Sequence, residues 1–145
     1  MKFWATSEAM QGVSKLFFST LERKGAINGL IDSLNLNLLD IDTGDFGKWR
    51  VIFIIVPDYL KDAFRETRRL TRKDMTLDFR VHVDFERALT ATFQECIELL
   101  TAALEKTLPY FKKAKISADV QNQILQCLHV AAVEAIAKHE SRAAI

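Results

Sequence analysis

MTLDFRVHVDF, residues 75–85, alternates without a break. Leu77, Phe79, Val81, Val83 and Phe85 interleave with Thr76, Asp78, Arg80, His82 and Asp84. Successive strand side chains point to opposite faces, so this stretch is a β-strand with one apolar and one polar side. The apolar side must cover a core, and the polar side must meet water or a partner.

A second strand lies just upstream. Trp49–Val56, WRVIFIIV, is apolar except for Arg50. Its β-branched and aromatic content fits a strand buried on both faces, hence central in a sheet. Pro57 ends it. The two strands are expected to pair antiparallel. Lys2–Thr6 supplies a short third strand, with Phe3 and Ala5 on one side and Lys2, Trp4 and Thr6 on the other.

Elsewhere the period changes to 3.6. Thr6 or Ser7 can cap a helical region between Glu8 and Leu39, with Glu8 in its first turn. Met10, Val13, Phe17 and Leu21, then Ile27, Leu30, Ile31 and Leu34, keep the spacing. Gly25 and Gly29 leave open one bent helix or two. Asp40–Lys48, DIDTGDFGK, is a solvated turn. It has the superficial look of a calcium loop, but its Gly comes early and Val51 stands where the bidentate acid belongs.

After Asp84, a plausible N-cap, Phe85, Leu89, Phe93, Ile97, Leu100 and Leu104 form one helical stripe that ends near Pro109. Tyr110–Ile116 is a cationic connector. Ser117 caps a last helix through Val120, Ile124, Cys127 or Leu128, Ala131 and Ala135, with a frayed end at 137–145. The expected fold is α+β, a single domain over 1–145. It has a small, mainly antiparallel three-stranded sheet with helices packed mostly on one face.

Bulk properties bound the function. The chain has 145 residues, 49% of them hydrophobic and 27% charged, and a net charge of +1. It is therefore not, as a whole, an electrostatic nucleic-acid binder. There is no signal-peptide pattern and no apolar run near the roughly 20 residues of a spanning helix, so a cytoplasmic location without membrane association is expected. Cys96 and Cys127 read as small buried residues on helices, with a disulfide between them left open. Three scattered histidines and two cysteines group nowhere as metal ligands, and no cofactor motif is present.

Three candidate sites remain. The polar strand face carries Asp78, Arg80, His82 and Asp84 at strand spacing. His82 is the one tempting catalytic group, but no nucleophile or oxyanion turn accompanies it, and a solvent-facing strand of alternating charge explains it better. Arg65, Arg68, Arg69 and Arg72 would share one face if helical and, with Lys73, could hold phosphates or acidic side chains. A solvated helix with internal Glu66 and Asp62 pairs explains them equally well. Finally, Trp4, Arg50, Ile52 and Ile54 can share a sheet face with Asp78, Arg80 and His82. That would give an apolar centre with a charged rim, the composition of a protein interface.

The opening K-F-W-A-T-S-E, the strand W-R-V-I-F-I-I-V-P and the strand L-D-F-R-V-H-V-D-F running into a helix occur in this order between Lys2 and about Leu108. This arrangement resembles bacterial immunity proteins of polymorphic-toxin and contact-dependent growth-inhibition systems. The resemblance implies a non-enzymatic cytoplasmic protein that captures a cognate toxin C-terminal domain, often a nuclease, and blocks it. On that reading the partner-binding residues are Asp78, Arg80, His82 and Asp84, with Glu8, Arg65, Arg68, Arg69 and Arg72 as secondary candidates. A homodimer is left open. The alternative is a nucleic-acid-binding regulator using the Arg65–Lys73 segment.

Overall fold

Thr76–Val83 is a strand, as its alternation requires, and it lies in a four-stranded sheet with two inner strands. The structure is a computed structural model and describes residues 1–7, 21–43, 47–57, 68–71 and 75–143. Its elements are β1 (Lys2–Ser7), α1 (Leu21–Leu38), β2 (Arg50–Pro57), β3 (Arg68–Thr71), β4 (Thr76–Val83), α2 (Phe85–Thr90), α3 (Phe93–Glu105), a 3₁₀ helix (Leu108–Ala114) and α4 (Ala118–Ala143).

The sheet order is β1-β2-β4-β3. This corrects the expected mainly antiparallel, three-stranded sheet. β1 runs parallel to β2, and β2 parallel to β4, from Arg50 opposite Thr76 to Pro57 opposite Val83. Only β3 is antiparallel, with Arg69 opposite Asp78 and Leu70 opposite Leu77. The physical reason is β3 itself. The chain leaves β2, runs back as β3 along the outer side of β4, then reverses again into β4. Two reversals restore the direction of β2, whereas a direct hairpin would have inverted it. Between β1 and β2 the chain passes through α1, the crossover that parallel neighbours need.

One sheet face is the core. Phe3, Val51, Phe53, Ile55, Leu77, Phe79, Val81 and Val83 are all buried, and α1, α3 and the 3₁₀ helix cover them. Four aromatic rings close on one another beneath the helices. Centroid separations are 5.4 Å for Phe3–Phe53, 6.0 Å for Phe53–Phe79, 5.5 Å for Phe79–Phe111 and 6.4 Å for Phe111–Phe3. Such offset contacts add to the area these rings bury. Phe111 enters from the 3₁₀ helix, in the segment read from sequence as a cationic connector. α4 forms an outer layer on α1 and α3, through Ile124, Leu128, Ala131 and Ala135.

Local chemistry fixes the helix ends. Asp84 caps α2 by accepting from the Arg87 amide at 3.1 Å. The single helix expected after Asp84 is two, because Ala91 and Thr92 are extended. Thr92 starts α3 afresh, accepting from the Glu95 amide at 3.2 Å and donating its hydroxyl to the Glu95 carboxylate at 3.1 Å. The Thr-x-x-Glu spacing is that of a capping box, but here the Glu95 carboxylate meets the Thr92 hydroxyl and not the Thr92 amide. Leu89 falls in the interrupted helix and is exposed, not core. Ser117 caps α4 through the Val120 amide at 3.2 Å. α4 continues to Ala143, so the segment expected to fray is helical nearly throughout. α1 runs through Gly25 and Gly29 without a break. Cys96 and Cys127 are both free thiols.

Candidate functional site: the second face of the sheet

The register sets the composition of the other face. In parallel pairs, partners side by side point the same way. One row therefore holds Lys2, Arg50 and Thr76, and the next Trp4, Ile52 and Asp78. Ile54 and Arg80 follow, then Val56 and His82. Trp4, Arg50, Ile52 and Ile54 thus do share a face with Asp78, Arg80 and His82.

Burial along this face is graded. Val56 and Thr76, at its two ends, are buried. Ile52, Ile54, Asp78, Arg80 and His82 are half-buried, so β2 is central but less enclosed on this side than its apolar run suggested. Trp4 is 46% exposed, and Lys2 and Arg50 are exposed. The Lys2 ammonium lies 4.4 Å from the centre of the Trp4 ring, a cation–π contact between two neighbours on this face. The result is an accessible aromatic ring beside two aliphatic side chains, rimmed by Lys2, Arg50, Arg80 and Asp78.

The expected site residues separate into groups. Asp78, Arg80 and His82 come together on this face. Asp84 follows them in sequence, but its carboxylate is committed to the α2 cap. Arg68 and Arg69 lie on β3, so the helical spacing that would align the arginines does not hold there. Arg69 is instead the register partner of Asp78, which brings its backbone beside the same row. Glu8, Arg65 and Arg72 lie outside the described residues. Lys2 is the contributor that the candidate list lacked. Its signal was present in the alternation of Lys2, Trp4 and Thr6.

The other histidines lie elsewhere. His129 is on the surface, 3.5 Å from the Glu105 carboxylate. His139 stacks on Phe93 in the outer helical layer.

The model of the immunity protein 44 family matches residues 1–130. The chain belongs to that family. The match covers all four strands, α1 to α3, the 3₁₀ helix and the first half of α4, and it gives the chain the role of an immunity protein. No curated protein and no solved structure matched it. In this member of the immunity protein 44 family, no described helix is long and apolar enough to cross a membrane.

Proposed function

We propose that this immunity protein neutralises a cognate toxin C-terminal domain by stoichiometric capture in the cytoplasm, without catalysis of its own. The second sheet face is its docking surface. The toxin is a nuclease of a polymorphic or contact-dependent growth-inhibition system, and its active site or substrate groove is occluded in the complex. One observation carries the assignment to this face. Trp4 is half-exposed beside the half-buried Ile52 and Ile54 and within a rim of both charge signs. Interfaces concentrate binding energy in such aromatic anchors, while charged rims speed association and reject wrong partners.

The test uses the toxin domain encoded beside this chain. The two are co-expressed, purified together and titrated by calorimetry, and the toxin is assayed for nucleic-acid cleavage. A 1:1 complex that abolishes cleavage is expected, with affinity lost in Asp78→Lys and Arg80→Glu variants that still fold. Unchanged affinity in both variants would move the docking surface elsewhere. A toxin that cleaves no nucleic acid would remove the nuclease assignment alone.

A further inference from the structure

A cleft of ≈ 380 Å³ opens on the helical side, between α1, α4 and the start of α3. The second sheet face contributes none of its lining. Ala135, Lys138, His139 and Arg142, which form its α4 side, lie beyond the residues matched by the family.

Two glycines keep the cleft open. Gly25 and Gly29 sit one turn apart inside α1, where each costs about 1 kcal/mol relative to Ala. Backbone geometry does not demand them, since neither has a positive φ, nor does steric conflict. A Cβ on Gly25 would stand 3.8 Å from Phe93 Cε2, and one on Gly29 3.8 Å from the Ala135 Cβ, both ordinary contacts. What larger side chains there would remove is the space itself.

The walls have definite chemistry. Phe93 and His139 stack face to face, with centroids 3.8 Å apart and planes within 2°. Lys138 and Arg142 are one turn apart on α4. Neither makes an ion pair or hydrogen bond among the described residues, and Asp32 across the cleft is equally uncommitted. Two unpaired cations beside a flat ring stack suit a doubly negative oxyanion joined to a planar group. The volume lies within the range of about 300–1,000 Å³ usual for small-molecule sites.

We infer that this cleft binds a nucleoside monophosphate. The phosphate dianion lies on Lys138 and Arg142, and the base extends the His139–Phe93 stack. Asp32 accepts from a ligand hydroxyl or amine. Arg offers phosphate a planar fork of donors, and Lys adds a point charge.

The test is calorimetry on the full chain with adenosine 5′-monophosphate, and with adenosine and inorganic phosphate as separate ligands. It is paired with NMR observation of the His139 ring. The expected dissociation constant is about 1 mM or tighter for the monophosphate and at least about tenfold weaker for either fragment. The His139 resonances should move on binding. Lys138→Ala combined with Arg142→Ala should weaken binding at least about tenfold with the melting temperature preserved, because both side chains are exposed. Absence of binding at about 5 mM, equal binding of phosphate alone, or unchanged affinity in the double variant would each overturn the assignment.

Discussion

Asn35 occupies both backbone polar groups of Phe3. Its Oδ1 accepts from the Phe3 amide at 2.7 Å, and its Nδ2 donates to the Phe3 carbonyl at 2.9 Å. β1 is an edge strand, and edge strands offer unpaired amides and carbonyls to other chains. A side-chain amide has one acceptor and one donor in nearly the geometry of a peptide group. Asn35 therefore acts as a one-residue stand-in for the missing neighbouring strand and fastens α1 to the sheet. Asn35→Leu should destabilise the fold by about 1–3 kcal/mol, because two part-buried backbone groups lose their partners. Asn35→Asp should be intermediate or worse, since it keeps the acceptor but turns a carboxylate toward the Phe3 carbonyl. Urea denaturation measures the loss, and sedimentation velocity should show the Leu variant self-associating through β1.

The ring of Phe3, Phe53, Phe79 and Phe111 joins three strands to the 3₁₀ helix. Phe111 is fully buried and stacks on two of the other three rings. Phe111→Ala should cost about 3–5 kcal/mol, the sum of lost transfer energy and an unfilled cavity. Phe111→Leu should recover roughly half of that, because most of the volume returns without the aromatic contacts. Chemical denaturation of the three proteins decides it. A cost below about 1 kcal/mol for Ala would show that the 3₁₀ helix is not part of the cooperative core.

How much of this was legible follows from where the signals are strong. Leu77, Phe79, Val81 and Val83 alternate with polar residues, and that fixed β4 and its buried side. The apolar run of β2 placed it inside the sheet. The sheet face shared by Trp4, Ile52 and Asp78 followed from alternation in three strands. Strand direction did not, because it depends on β3. Arg68–Thr71 has one apolar residue in four and shows no strand period, so nothing in it marks an edge strand. The break at Ala91–Thr92 was hidden by a stripe that continued in sequence through Leu89, although Thr92-x-x-Glu95 was a visible start signal. Phe111 was obscured by the lysines around it. Asn35 and the cleft beside Gly29 arise from contacts between distant segments, which local pattern does not encode.

Trp4 is the anchor that the proposed docking surface requires. Trp4→Ala should weaken toxin capture by about 2 kcal/mol or more, roughly 30-fold, because exposed aromatic anchors dominate interface energies. The isolated domain should lose little stability, since the indole is 46% exposed and lies outside the buried core. Lys2→Ala should cause a smaller loss, about threefold, by releasing the indole from its cation–π contact at 4.4 Å. Calorimetric titration with the toxin domain and a parallel melting curve separate binding from folding. Trp4→Ala with full affinity would exclude this face as the interface centre.

Gly29 offers a separate stability test. The closest heavy atom to a Cβ placed on it would be the Ala135 Cβ at 3.8 Å. Gly29→Ala should therefore stabilise the protein by up to about 1 kcal/mol through helix propensity, with a new contact between α1 and α4. A stability decrease in urea titrations would mean that the two helices cannot accept even one methyl group.

Cys127 links the outer helix to alkaline stability. Its Sγ lies 3.8 Å from the Asn37 carbonyl oxygen. Burial, and then the negative charge of Asp40, push its thiol pKa above the ordinary 9.0. The folded protein thus holds this proton more tightly than the unfolded chain. The stabilisation is complete below pH 9.0 and is lost as pH rises through the raised folded value. The native protein should lose more stability above that pH than Cys127→Ala does, and Asp40→Asn should reduce the difference. Alkylation gives a second readout. With Cys96 buried and only Cys127 partly accessible, iodoacetamide near pH 8 should modify Cys127 alone, and more slowly than in denaturant. Rapid modification of native Cys127, with no change on Asp40→Asn, would show that neither burial nor the Asp40 charge protects the thiol.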